Sequence, residues 1–232
     1  KAFIYSLSTL SGTIIGGGLF SLPYITSKVG IWVMLGYFLV LGSLVILIHL
    51  FFGELALKTP DYKRLPGFAK IYLGNWGEKI TIISAIFGLF GAILSYLLVG
   101  GEFLKELLSP IFGGGAILYT FLYFSTGAIL IYFGVKAIAK VELWALVSFF
   151  LILIFIFFRS KHLINIENLF TANGQWSVIK NYLFLPYGPI LFSLWGASLI
   201  PEAEEMLGEH KNLFKKIIPL AILIPAIIYI FF

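Results

Sequence analysis

The sequence of 232 residues contains no cysteine, and only 12% of its residues are charged. Without cysteine, neither a disulfide bond nor a thiolate metal site can form. Soluble globular proteins carry about 25% charged residues, so the composition argues against a soluble enzyme or a nucleic-acid-binding protein despite the net charge of +5. The sequence also lacks a catalytic triad, a metal-ligand spacing and a phosphate-binding loop. These absences leave a membrane protein as the main interpretation.

Apolar residues make up 60% of the chain, and they form seven runs. A membrane-spanning helix needs roughly 20 predominantly apolar residues. The runs cover residues 2–27, 29–53, 80–101, 111–135, 141–158, 183–201 and 217–232. They predict an all-α integral membrane protein. Because the chain begins without methionine and stops inside an apolar run, we expect it to be a fragment of a longer protein.

Two longer polar stretches, residues 58–79 and 159–182, separate the runs. With a cytoplasmic N-terminus, 11 of the 16 basic residues lie inside and 5 lie outside. Since basic residues favour cytoplasmic loops, we expect a cytoplasmic N-terminus in the plasma membrane. Residues 68–73 are expected to form a short interfacial helix. Gly113, Gly114 and Gly115 are expected to form an outer turn.

The first run contains three consecutive glycines, Gly16, Gly17 and Gly18. Glycine is the poorest helix former after proline. A backbone break at membrane depth is tolerated only where the freed N–H and C=O groups face protein, a cavity or a ligand. Transporters use such breaks to build binding sites, although glycine is also common where membrane helices pack closely.

The sixth run is interrupted as well, by Gly196 and Pro201. Glu202, Glu204 and Glu205 follow at once and are interpreted as a cytoplasmic gate or a helix end. Two interrupted spans, five spans apart, are typical of a transporter built from inverted five-helix repeats.

These motifs resemble those of amino acid permeases. Residues 12–23 resemble the first-helix signature of the amino acid–polyamine–organocation superfamily, and Phe192 to Gly196 with Pro201 are similar to its broken sixth helix. Residues 65–77 resemble the first cytoplasmic loop of the amino acid/auxin permease branch, which includes aromatic amino acid permeases.

The resemblance implies the leucine-transporter fold, with ten core helices in two inverted repeats. This chain would hold helices one to six and part of seven, with helices one and six broken. Residues 1–159 would form the first five-helix repeat, residues 160–185 an extracellular loop, and residues 186–232 the start of a truncated second repeat.

The resemblance also implies a substrate site at mid-membrane between the two breaks. Gly17 and Gly18 would offer N–H groups to the substrate carboxylate, and the carbonyls of Ile14 and Ile15 would accept from its ammonium group. Gly16 and Leu19 are candidates as neighbours of these groups. Leu194, Trp195 and Gly196 would form the facing wall from helix six, and Ser95 would come from the third segment. The ends of the two half-helices can bind the charged groups of an amino acid, because a helix dipole favours an anion at the N-terminus and a cation at the C-terminus.

The coupling ion stays open between sodium and a proton. Ser148 falls where proton-driven members of the superfamily often carry a lysine. Its hydroxyl would instead complete a sodium site with the carbonyls of Gly12 and Ile15, since sodium and other hard cations prefer oxygen ligands. His49 is interpreted as a packing residue, with a proton relay as the alternative. We expect no other cofactor.

The sequence therefore predicts a secondary active transporter that moves an amino acid across the bilayer by alternating access. An ion transporter or channel of similar fold is the first alternative, although a channel favours a polar pore lining that this chain does not supply. A membrane-embedded enzyme is the second alternative, and no nucleophile or paired acids support it. The identity of the amino acid, the choice of symport or antiport and the oligomeric state stay open.

Overall fold

The computed structural model of the chain describes residues 2–16, 18–60, 63–133, 135–163, 170 and 176–231. Within these ranges the regular elements are helices, which confirms the all-α prediction. The α-helices are α1 Ala2–Ile14, α2 Gly18–Val29, α3 Ile31–Lys58, α4 Leu65–Phe112, α5 Ala116–Tyr132, α6 Val135–Ser160, α7 Trp176–Tyr182, α8 Tyr187–Leu194, α9 Ile200–Leu207 and α10 Phe214–Phe231.

Several helical stretches are apolar and long enough to cross a bilayer. Among the described residues these are Ile31–Lys58, Leu65–Phe112 and the stretch Tyr187–Phe231, and the bent pair α1 and α2 makes a fourth if it is counted as one span. Ala116–Tyr132 and Leu151–Ser160 are apolar but shorter. The chain is therefore a multi-pass membrane protein. The seven predicted runs are confirmed only in part, because two of the apolar helices among the described residues, Ala116–Tyr132 and Leu151–Ser160, are shorter than a full span.

Two predicted loop regions are largely helical. α4 begins at Leu65 rather than near residue 80, and it is kinked at Gly74, where φ is 70° and ψ is −165°. The helical segment before this kink includes the short helix predicted at residues 68–73. α6 begins at Val135, so residues 136–140, which separate the fourth and fifth apolar runs, are helical rather than a connection. Their Lys and Ala residues are good helix formers. The turn predicted at residues 113–115 is present between α4 and α5.

The chain forms two compact units. The first comprises Lys1–Ile82 and Asn165–Phe232, and the second comprises Ile83–Ile164. In the first unit α1, α3, α8, α9 and α10 pack on one another around a buried apolar core that includes Leu10, Val45 and Ile217. The repeat boundaries predicted at 159 and 185 concern repeats rather than compact units, and they stay predictions. Residues 164–169 and 171–175 of the predicted extracellular loop lie outside the described residues.

Two parts of the first unit share a pattern at a constant distance of 180 residues. α1 ends at residue 14 and α8 ends at residue 194. Buried positions 34, 38, 41, 42, 45 and 49 of α3 correspond at this distance to buried positions 214, 218, 221, 222, 225 and 229 of α10, which also buries residue 217. The two helices thus turn corresponding faces toward the core.

Candidate functional site

The predicted interruption of the first span is present. α1 ends at Ile14, α2 begins at Gly18, and their axes differ by 54°. The N–H group of Ile15 still bonds to the Ser11 carbonyl at 3.0 Å, and the Gly16 carbonyl accepts from Leu19 at 3.2 Å. Ile15 and Gly16 thus close one helix and open the next. Gly17, the centre of the predicted break, lies outside the described residues.

Tyr229 of α10 reaches the first break with its side-chain hydroxyl. The hydroxyl donates to the Ile14 carbonyl oxygen at 2.5 Å and accepts from the Gly16 N–H group at 3.0 Å. The Ser193 carbonyl oxygen lies 3.5 Å away, at the limit of a hydrogen bond. Tyr229 is only 4% exposed, so water cannot easily replace it. One buried side chain therefore satisfies two backbone groups that the break leaves without helical partners.

The second predicted interruption is also present. α8 ends at Leu194, Trp195 is extended with φ −81° and ψ 113°, and a 3₁₀ turn covers Ala197–Leu199. α9 then begins at Ile200. Its second residue is proline, which is tolerated in the first turn because the N–H group there has no helical partner. Gly196 lies between α8 and the 3₁₀ turn, where its N–H group is not part of the hydrogen-bond pattern of a helix.

His49 of α3 supplies the missing partner of Gly196. The Gly196 N–H group donates to Nε2 of His49 at 3.1 Å, and Nδ1 of His49 lies 2.8 Å from the Val45 carbonyl oxygen. A carbonyl only accepts, so Nδ1 carries the hydrogen and Nε2 is a bare acceptor. The imidazole ring also packs edge-on against Trp195, with ring centroids 5.3 Å apart. His49 is buried, and beyond the predicted packing role it holds the second break.

The two breaks lie in direct contact. A β-carbon built on Gly18 would lie 2.1 Å from Cβ of Ser193, and one built on Gly196 would lie 2.7 Å from Cγ1 of Ile14. Both distances are far too short for real side chains, so glycine is required at these positions. The structure therefore brings together Ile14 and Gly18 of the first break with Ser193 and Gly196 of the second.

The remaining substrate candidates around the breaks differ in exposure. Leu19 and Leu194 are fully buried, whereas Trp195 is 45% exposed. Ile15 and Gly16 are intermediate. Trp195 can therefore offer part of its indole ring to a ligand, while the side chains of the two leucines are enclosed in the structure.

Three other predicted residues are exposed within their own units. Gly12 is exposed on α1, and a β-carbon there would meet nothing within 4 Å. Ser95 and Ser148 belong to the second unit and are exposed there. The hydroxyl of Ser95 donates to the Gly91 carbonyl at 2.9 Å within its own helix. The substrate role of Ser95 and the sodium site of Gly12, Ile15 and Ser148 thus stay predictions.

Two of the three acidic residues after the second break form ion pairs with basic side chains. Glu202 lies 2.9 Å from Nε of Arg64, and the buried Glu204 lies 2.7 Å from Nζ of Lys211. The hydroxyl of Ser6 donates to the Ala203 carbonyl at 3.0 Å, which ties α1 to α9. Within the described residues, the structure contains no group of three or more His, Cys, Asp or Glu side chains that could hold a metal ion.

A groove of about 340 Å³ lies between α2, α3 and α10. Its lining is mainly apolar and includes Leu22, Pro23, Met34 and Phe38, with Tyr229 near the first break. Tyr229 thus lines the groove and also binds the backbone of the first break through its hydroxyl.

Comparison with known proteins identifies the family. The model of the tryptophan/tyrosine permease family matches residues 1–232. The chain belongs to the tryptophan/tyrosine permease family. Membership of a permease family confirms that the chain is part of a transporter and not of an enzyme. It also confirms the resemblance to amino acid permeases at the level of this family.

The tryptophan/tyrosine permease match is accompanied by a curated relative. The relative is the "Tyrosine-specific transport system 1" of Haemophilus influenzae, which is 29% identical over 116 residues. The matched segment covers 49% of this chain and 29% of the relative, so it spans less than a third of that protein's length. No solved structure matches the chain.

His49 and Tyr229 are the residues that sequence reasoning missed as parts of the site. Both are polar aromatic residues in otherwise apolar runs, which is a recognisable signal for function in membrane helices. Their spacing from the glycines gives a second signal, since residues 16 and 49 are 33 apart, as are residues 196 and 229.

Proposed function

We propose that this chain is the substrate-binding part of a secondary active transporter that moves an aromatic amino acid across the plasma membrane by alternating access. The family is described as tryptophan/tyrosine permeases, and the curated relative is named as tyrosine-specific. The observation that carries the proposal is the direct contact of two helix breaks inside one apolar unit. Such breaks supply backbone dipoles to a zwitterion without any charged side chain.

The substrate would lie at the two breaks. Its carboxylate would accept from the N–H groups of Gly17 and Gly18, where a helix N-terminus favours negative charge. Its ammonium group would donate to the carbonyls of Ile14 and Ile15, since a carbonyl oxygen has two lone pairs and Tyr229 uses only one of those on Ile14.

The wall of the site would come from both sides of the breaks. Gly16, Leu19, Leu194 and Gly196 would shape it, and the exposed part of Trp195 would contact the aromatic ring of the substrate. Ser95 would contribute from the third membrane segment.

The proposed architecture is the leucine-transporter fold with two inverted repeats, as in the amino acid–polyamine–organocation superfamily and its amino acid/auxin permease branch. The constant distance of 180 residues supports a repeat, because it relates the ends of α1 and α8 as well as the buried faces of α3 and α10. Such repeats place the substrate at their interface. Coupling to sodium or to protons belongs to the proposal, with Gly12, Ile15 and Ser148 as the sodium ligands.

Uptake into liposomes that contain the purified intact protein tests this function. Labelled tyrosine and tryptophan should accumulate when a sodium or proton gradient is imposed, and empty liposomes should show no uptake. Unlabelled tryptophan should compete, and unlabelled lysine should compete poorly, because Glu202 and Glu204 after the second break are already paired with Arg64 and Lys211. Ion flux without amino acid uptake under either gradient would refute the proposal in favour of an ion transporter.

A further inference from the structure

Each helix break is held by a side chain from the span that follows the other break. The first broken span, made of α1 and α2, is followed by α3, and Nε2 of His49 on α3 accepts from the Gly196 N–H group of the second break. The second broken span, made of α8 and α9, is followed by α10, and the Tyr229 hydroxyl on α10 accepts from the Gly16 N–H group of the first break. The two hydrogen bonds are therefore crosswise: α3, near the N-terminal end of the chain, binds the second break, and α10, near the C-terminal end, binds the first break.

The residues in these two bonds occupy corresponding positions. From 16 to 49 the chain advances 33 residues, and from 196 to 229 it again advances 33. His49 and Tyr229 are the last buried pair in the matching faces of α3 and α10. In both bonds the donor is the N–H group of the glycine at the break, and the acceptor is an aromatic side chain that is at most 4% exposed.

We propose that His49 and Tyr229 are equivalent positioning residues of the transport site, which fix the two breaks to each other through crosswise hydrogen bonds. The inference rests on the proposed function for its effect on transport, but the bonds themselves can be tested without substrate. Neither residue needs to touch the substrate. His49 acts through the N–H group of Gly196, and Tyr229 acts through that of Gly16. Each bond thereby fixes the direction of the backbone carbonyl and N–H groups next to that glycine.

The chemistry explains why these side chains are suitable. A buried N–H group outside a helical ladder requires an acceptor, because lipid provides none. Nε2 of His49 accepts because Nδ1 already donates to Val45. The Tyr229 hydroxyl accepts from the Gly16 N–H group and donates its own hydrogen to the Ile14 carbonyl oxygen. If His49 or Tyr229 is replaced by a residue that cannot accept, the N–H group of Gly196 or Gly16 loses its hydrogen bond. The backbone hydrogen bonds within α3 or α10 are not affected.

The first test measures hydrogen–deuterium exchange in the intact detergent-solubilised protein without substrate. His49→Leu should speed exchange at least fivefold in peptides that cover residues 193–199, and Tyr229→Phe should do so for residues 14–20. His49→Gln should stay close to the unmutated protein, because the glutamine oxygen can replace Nε2 as acceptor. Leu41→Ala, a buried change two turns away on α3, is the control for general loss of packing.

The second test measures uptake kinetics for the same variants. His49→Leu and Tyr229→Phe should each raise the KM for tyrosine about tenfold, and the double variant should be less affected than the product of the two. Recovery of KM in His49→Gln supports positioning by the acceptor. Faster exchange confined to α3 in His49→Leu, or equal damage in His49→Gln and His49→Leu, would overturn the proposal. Absence of uptake in the unmutated protein with the crosswise exchange pattern intact would instead count against the proposed function alone.

Discussion

The side chain of Ile14 fills the space in which a side chain at Gly196 would have to lie. A β-carbon on Gly196 would approach Cγ1 of Ile14 to 2.7 Å and Cδ1 to 2.9 Å. The end of the first half-helix and the break in the sixth span therefore fit together only because residue 196 is glycine. A substitution on either side must change the fit of the two breaks.

Gly196→Ala should impair both stability and transport. Overpacking of a filled interior costs typically about 1–3 kcal/mol, and the shift would also strain the bond from Gly196 to His49. Gly196→Ala with Ile14→Ala should recover a large part of the melting temperature, because the second change removes both clashing carbons. Gly127→Ala is the control, since a β-carbon there meets nothing within 4 Å. Thermal melting of Gly196→Ala equal to that of the unmutated protein would contradict the packing.

Gly18→Ala is expected to reduce uptake at least tenfold, because the added side chain would clash with α8. A side chain at this position would point at Ser193 of α8, 2.1 Å from its β-carbon, rather than into an open ligand space. Gly18→Ala with Ser193→Gly should therefore restore part of the melting temperature and of uptake, because the β-carbon and hydroxyl of Ser193 are removed while its Cα stays 3.1 Å away. Restored stability with uptake still lost would mean that residue 18 blocks the substrate directly.

The topology prediction places residue 63 in the cytoplasm and residue 173 outside, because basic residues favour the inner side. Lys63 precedes α4, and Asn173 lies outside the described residues. The sequence contains no native cysteine, so single cysteines at these two positions can be labelled without background. An impermeant maleimide should label Asn173→Cys in intact cells and Lys63→Cys only after the membrane is opened. Labelling of both from one side would contradict the orientation.

The breaks were predictable because their cause is local. Runs such as Gly16 to Gly18, or Gly196 with Pro201, weaken a helix whatever surrounds them. The length of α4 was not predictable from the same signals, because Pro66 falls in the first turn, where proline is tolerated. The bonds of His49 and Tyr229 were also missed, since their partners are 147 and 213 residues away along the chain. Only the tertiary packing of α3 and α10 brings these groups together.

Sodium coupling can be separated from proton coupling by replacing one ion at a time. The predicted site uses carbonyls of Gly12 and Ile15 and the hydroxyl of Ser148, and oxygen ligands of this kind suit a hard cation. Uptake by the intact protein should fall strongly when choline replaces sodium, and Ser148→Ala should raise the sodium concentration needed for half-maximal uptake. Ser125→Ala is the control, because its hydroxyl donates to the Phe121 carbonyl within its own helix. Unchanged uptake in choline, with loss of uptake on collapse of the proton gradient, would reject the sodium site.

The carboxylate of the substrate should be the group that the first break recognises. α2 begins at Gly18, and the positive end of a helix dipole favours an anion at such an N-terminus. Hydrogen bonds to a charged group contribute about 1.5–3 kcal/mol each, so replacing the carboxylate by an ester should weaken competition at least tenfold. Tyrosine methyl ester and tyrosine amide should compete poorly with labelled tyrosine, whereas phenylalanine, which keeps both ionic ends, should compete within about an order of magnitude. If the ester competes as well as tyrosine, the substrate carboxylate does not bind at the Gly16–Gly18 break, whatever the family of the protein.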